Sequence, residues 1–234
     1  MTRKQLLDAC VGNMIFSVPM VEALLEERKN RTMRAMRCPE DRDAPCWSNR
    51  FPFEQECEKC GREFPCVSVA RHHVGDIIYV WERHRFIDFD HIDGRWSASV
   101  QFADMTCGAR LFWTDDDEIP HLGWRPSIHM PKAATRIFMR VSQVKSQRPQ
   151  FLTPEEIIAE GTLCTAGVRK MPCAPDSCGF KGADNCGYLL GEWARLWDAV
   201  RPKKRLELYG YEANPLCWVY GLEVLKEEVF GHDG

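Results

Sequence analysis

Lys29, Thr32 and Arg34 most constrain this chain, because they follow an apolar helical pattern and set an amine three residues from a hydroxyl. The pattern begins after Phe16, Ser17, Val18 and Pro19. Val21, Leu24 and Leu25 form a stripe, Glu22, Glu26, Arg28 and Lys29 fill the opposite face, and Pro19 suits a first turn. The spacing predicts a helix over residues 18–36. In such a helix positions i and i+3 share a face, so the Lys29 ammonium reaches the Thr32 oxygen; if the helix has already ended, the two stand on a loop at its C-terminus. A lysine desolvated in a cleft loses its proton more readily and can act as a base toward the hydroxyl. The competing reading is a solvated basic helix end, in which Arg28, Lys29, Arg31, Arg34 and Arg37 complement the helix dipole.

The stretch 27–34 resembles the G-x-K-x-x-T-x-R signature of the ASCH family, a branch of the PUA-like superfamily. Lys29, Thr32 and Arg34 match it, and Glu27 stands where the family has glycine. Further segments occur in the order seen in phage and prophage ASCH-like proteins: 16–21 (Phe-Ser-Val-Pro-Met-Val), 74–82 (Val-Gly-Asp-Ile-Ile-Tyr-Val-Trp-Glu), 124–131 (Trp-Arg-Pro-Ser-Ile-His-Met-Pro), 159–161 (Ala-Glu-Gly) and 214–219 (Asn-Pro-Leu-Cys-Trp-Val). They cover most of residues 14–225. The resemblance implies an α+β fold, a PUA-like mixed β-barrel with flanking helices, the helix after Pro19 lying across one mouth of the barrel.

At 234 residues and 44% hydrophobic, the chain can bury one good core, and no repeat or long linker divides it. One domain over residues 1–234 is expected, elaborated by cysteine-bearing insertions at 37–73 and 162–187. A formal charge of -3 lacks the positive balance of a protein that coats duplex nucleic acid, so any such contact is local. Neither the N-terminal residues nor any later stretch supplies the apolar run of a signal peptide or a membrane span, so a cytoplasmic protein without a membrane partner is expected. For a phage-encoded chain that is the bacterial host cytoplasm. Oligomeric state is not legible.

Gly75 and Asp76 signal a turn before a strand at 77–81, and short strands are expected at 86–89, 98–102 and 110–113. The two prolines of 124–131 favour an extended, fixed loop. Residues 135–144 alternate as a strand does. Thr153, Pro154, Glu155 and Glu156 open a short helix with a cap, a first-turn proline and acids at its positive end, and Gly161 ends it. A helix at 188–200 and a closing strand at 216–224 complete the pattern.

Three constellations carry chemistry. In ASCH amidohydrolases that deacetylate N4-acetylcytidine, activity rests on the lysine and threonine of K-x-x-T and a later glutamate; the resemblance carries this onto Lys29 as base, Thr32 as nucleophile or water holder and Glu160 as proton shuttle or clamp on the amine. Glu160 can equally be an exposed helix-end acid. The second constellation, with Arg34, is the loop holding Trp124, Arg125, Ser127 and His129: an indole for stacking, and a guanidinium and hydroxyl for a phosphate or carbonyl. Packing of Trp124, Ile128 and Met130 under Arg125 is its structural alternative, and a lone histidine is more often structural. Glu82 can accept from a base edge or pair with Arg125.

The third constellation is metal. Cys57 and Cys60 form a C-x-x-C knuckle that Cys46 and Cys66, or Cys38, can complete for a structural zinc. Cys164, Cys173, Cys178 and Cys186 are a second possible set, His72 and His73 reserve ligands, and free thiols the alternative. No H-x-E motif of the zinc deaminases accompanies them, and no organic cofactor is expected. The expected function is recognition of a nucleoside or single-stranded nucleic acid, with hydrolysis of an N4-acylated cytidine as its sharp form and a ribonuclease as a variant. A non-catalytic RNA or modified-base binding module, or a phage accessory factor, is the alternative.

Overall fold

In the computed structural model, which describes residues 1–37, 70–87, 109–112, 126–164, 171–172 and 187–226, the chain is mixed α+β. It runs α1 (Arg3–Ala9), β1 (Cys10–Ile15), α2 (Val18–Leu25), β2 (Arg31–Ala35), β3 (Ile77–Trp81), β4 (His84–Ile87), β5 (Ala109–Phe112), β6 (Phe138–Gln147), α3 (Pro154–Ala159), β7 (Leu163–Cys164), β8 (Met171–Pro172), α4 (Gly187–Ala199), α5 (Leu206–Tyr209) and β9 (Cys217–Leu225). The main sheet has five strands in the order β1-β3-β6-β9-β2, with β1 and β2 as its edges among the described residues. Two compact units are formed, one from Met1–Leu25, Gly75–Arg140 and Glu223–Gly234, the other from Glu26–Val74 and Val141–Leu222.

In the first unit, α1 opens on a capping box in which the Thr2 hydroxyl accepts from the Gln5 amide while the Gln5 side chain accepts from the Thr2 amide. Gly75, at φ 94, makes the expected turn into β3. Along β3, Ile78 and Val80 are fully buried while Ile77, Tyr79 and Trp81 are half-buried, the period-two pattern of a strand with one core face. β1 runs parallel to β3. β3 is antiparallel to the start of β6, with Tyr79 opposite Phe138. β4 and β5 pair antiparallel and match two of the three short strands expected; residues 98–102 lie outside the described residues.

The predicted helix over 18–36 is corrected: α2 ends at Leu25 and residues 31–35 are a strand. The reason is visible in the pattern, since after Leu25 the next apolar side chain is Met33 and the buried stripe has nothing to continue it. Glu27 turns the chain with a left-handed φ of 57. The expected extended loop is corrected too. Pro126 and Pro131 are extended, and each leads into a single 3-10 turn, Ser127–His129 and Lys132–Ala134, which buries Met130 against Ala134 and Trp81.

In the second unit, β2 pairs antiparallel with β9 from Arg31 opposite Gly221 to Ala35 opposite Cys217. Met33, Cys217 and Val219 share one face of this ladder and join Leu152, Ile157, Leu189, Trp193 and Trp197 in the core. Each large side chain withdrawn from water there contributes about 1.5–3 kcal/mol. The two indoles keep their N–H groups satisfied, Trp193 donating to the Pro149 carbonyl at 3.1 Å and Trp197 to that of Tyr209 at 2.9 Å. No helix among the described residues is long and apolar enough to cross a membrane.

Candidate functional site

The second unit gathers buried charge where α3 ends. Thr153 caps α3 with a full capping box to Glu156, Pro154 occupies its first turn, and Gly161 at φ 88 terminates it, as the local sequence predicts. Glu160 is therefore held at the helix C-cap. A backbone bridge brings Lys29 antiparallel to it, the Asn30 amide donates to the Ala159 carbonyl at 3.0 Å, and the Leu222 amide donates to the Asn30 carbonyl at 2.7 Å. These contacts aim the lysine at the helix end.

Lys29 Nζ donates to the Glu160 carboxylate Oε2 at 2.8 Å and to the Glu160 main-chain carbonyl at 2.7 Å. Lys29 is 2% exposed and Glu160 3%. One ammonium thus caps an orphan carbonyl at the negative end of the helix and neutralises a buried acid. Burial pushes the Lys29 ammonium below its ordinary lysine value, and the Glu160 charge and hydrogen bond oppose that push.

Arg31, 8% exposed, makes the second half of the cluster. Its Nη1 lies 2.7 Å from Glu156 Oε1, its Nη2 donates to Gln147 Oε1 at 3.2 Å, and its Nε stands 3.8 Å from Glu160 Oε1. Glu156 also accepts from Lys145 at 2.8 Å, from the Gln147 amide group at 2.7 Å and from the Thr153 amide at 3.1 Å. Burial pushes the Glu156 carboxyl up, yet the hydrogen bonds from Arg31, Lys145, Gln147 and Thr153 outweigh it and hold the group at about 2. The solvated basic helix end is thereby excluded for Lys29 and Arg31, and the exposed helix-end acid for Glu160.

Thr32 is buried in β2, opposite Tyr220, and Arg34 is half-buried opposite Trp218. Alternation along the strand puts both on the face away from Met33 and the helical core. His72 stands edge-on to Tyr220, ring centroids 5.8 Å apart. Burial pushes the Arg34 guanidinium down, against the pull of the Glu160 and Tyr220 charges.

The remaining sequence candidates fall elsewhere. In the first unit, Glu82 is buried after β3 and receives a fork from Arg136, Nε to Oε1 at 3.1 Å and Nη2 to Oε2 at 2.9 Å, an ion pair within the described residues. Ser127 is half-buried and His129 exposed in the 3-10 turn of the same unit. Trp124, Arg125, Cys38, Cys46, Cys57, Cys60, Cys66, Cys173, Cys178 and Cys186 lie outside the described residues. Cys164 is the second residue of β7, which pairs antiparallel with β8. Among the described residues no group of three or more His, Cys, Asp or Glu side chains is placed to hold a metal ion.

Sequence reasoning singled out Lys29 and Glu160 and missed their neighbours as partners. Arg31 read as one of five basic residues and Glu156 as a first-turn acid. Glu156 at the third position after a threonine cap was the available signal that its side chain turns back toward the cap, but nothing local announces Arg31. Compared with protein-family models, with curated proteins and with solved structures, the chain shows no match.

Proposed function

We propose that this chain is an ASCH-type protein of PUA-like descent whose Lys29, Thr32 and Glu160 recognise a nucleoside or single-stranded nucleic acid and hydrolyse an N4-acylated cytidine-type base. The observation that carries the reading is the direct contact of Lys29, a residue of the signature, with Glu160, the later glutamate that the resemblance to the ASCH amidohydrolases assigns, 131 positions away. A second point supports it: Glu27, at the position of the signature glycine, has the left-handed φ that glycine favours. In this reading burial eases the loss of a proton from Lys29, which then takes one from the Thr32 hydroxyl or from a water that it holds. That proton passes from Lys29 to Glu160 through their hydrogen bond, and Glu160 delivers it to the departing amine.

A binding module without turnover is the second reading. It is favoured by one feature, the two hydrogen bonds that already engage the Lys29 ammonium, which suit a structural cation as well as a base. Assay of acylated nucleosides separates the two. The hydrolase reading expects release of carboxylic acid from N4-acetylcytidine by the wild type, and loss of kcat by about 10²-fold or more in Glu160→Gln and Thr32→Val with folding retained. Binding of single-stranded RNA with no acid released from any acylated nucleoside replaces it by the binding reading.

A further inference from the structure

Two buried charged groups near the centre of this cluster face each other without touching. Glu160 Oε1 and Arg31 Nε are 3.8 Å apart, beyond the reach of a direct hydrogen bond, and neither atom has a hydrogen-bond partner among the described residues. Both side chains are buried, Arg31 with 10% and Glu160 with 4% of the side chain exposed. Polar atoms this deep in a protein are almost always satisfied, and the penalty for leaving a charged one unsatisfied exceeds that for a neutral group.

Neither side chain is placed to close the gap. The guanidinium is anchored through its two terminal nitrogens, on Glu156 and on Gln147. The carboxylate is anchored through Oε2 by Lys29, and the Glu160 backbone is pinned by the same ammonium and by the bridge to Lys29. Nε offers one N–H and Oε1 accepts only, so the group that completes them must accept from one and donate to the other. A single hydroxylic oxygen does both, and buried waters in proteins take such bridging positions. Thr162, two residues beyond Glu160, carries another buried oxygen with no partner among the described residues, which marks the segment as short of hydrogen-bond donors and acceptors.

We propose that Arg31 Nε and Glu160 Oε1 together hold one water molecule, which accepts from the guanidinium and donates to the carboxylate, and that Arg31 is the residue that positions it. In the hydrolase reading, on which this extension rests, that water is the attacking group. Its oxygen forms a bond to the acyl carbon and its proton passes by way of Glu160 to the neutral Lys29, the base of that reading. The C–N bond then breaks and the same proton goes to the departing nitrogen, giving carboxylic acid and free amine. Arg31 touches neither the acyl group nor the amine; it sets where the oxygen sits.

A high-resolution crystal structure of the full wild-type chain tests the seat without any substrate. The expected result is an ordered oxygen within about 2.6–3.2 Å of both atoms, lost in Arg31→Lys, whose ammonium has no donor at the Nε position. A direct Arg31–Glu160 hydrogen bond, an oxygen bound to only one of them, or none at all overturns the proposal. The kinetic arm expects Arg31→Lys to lower kcat by about 10²-fold with KM within about twofold, a split that loss of packing alone would not give. An unchanged kcat in a well-folded Arg31→Lys overturns the positioning role. A wild type that holds the oxygen but hydrolyses no acylated nucleoside supports the seat and removes the hydrolase reading, so the two fail separately.

Discussion

Lys29 and Glu160 meet at 2.8 Å with almost no exposure, and the lysine also caps the last turn of α3 through the Glu160 carbonyl. Removing one partner strands the other charge in the interior. Lys29→Met and Glu160→Gln are each expected to lower unfolding free energy by about 3–5 kcal/mol. The double variant is expected to lose less than the sum, measured as a double-mutant cycle by denaturant titration. Because both side chains are buried, loss of activity in a truncation at either site counts as chemistry only when a folding measurement accompanies it.

Glu156 is expected to set the acid limb of stability. Its folded-state value of about 2 lies below the ordinary glutamate value, so its stabilisation is fully present above about pH 4.5 and is lost as pH falls through about 2. Because Glu156 is only partly buried, solvent screening reduces its contribution to about 1–2 kcal/mol. Glu156→Gln should therefore be less stable than wild type at neutral pH, and the difference should shrink steadily between about pH 5 and pH 2. A difference independent of pH would show that the carboxylate charge is not what its four partners recognise.

Glu27 holds a conformation that costs a non-glycine residue about 1–2 kcal/mol. Glu27→Gly is expected to raise the unfolding free energy, by less than that amount because glycine also gains freedom in the unfolded chain. Thermal unfolding of the two proteins checks the sign.

Gly221 lies opposite Arg31, and a Cβ there would sit 2.8 Å from Ser142 Oγ and 3.0 Å from Gln143 Cβ. Serine can turn aside, but the Gln143 main-chain nitrogen at 3.2 Å belongs to the β6 backbone. Gly221→Ala is expected to cost about 1–3 kcal/mol, read from the denaturation midpoint.

We propose that Cys57 and Cys60, with Cys46 and Cys66, carry zinc in the purified protein, because metal would supply ordering free energy to a proline-broken insertion of mostly polar residues. Elemental analysis without chelator checks it. Zinc absent, with all twelve thiols titratable in the folded state, rejects the site.

Where structure depends on neighbours along the chain, residues alone were enough to read it. The cap at Thr153, the proline after it and the stop at Gly161 define α3 because each acts within one turn on the backbone groups beside it. β3 was legible as a short apolar run after the turn at Gly75 and Asp76, β9 as a closing apolar strand, and α4 as an apolar helix rich in aromatics.

Residues 31–35 show where that legibility ends. The lapse of the apolar stripe after Leu25 marks the end of a helix, but it does not announce a strand: the partner is β9, nearly the whole chain away, and no local propensity contains a ladder with so distant a strand. The same holds for charge. The resemblance of their segments singled out Lys29 and Glu160, whereas spacing alone left them a basic helix end and a helix-end acid. Tertiary structure alone decided that they touch, that Arg31 and Glu156 join them and that Arg136 takes Glu82, because which charges share a buried, low-dielectric site follows from packing between segments rather than from distance along the sequence.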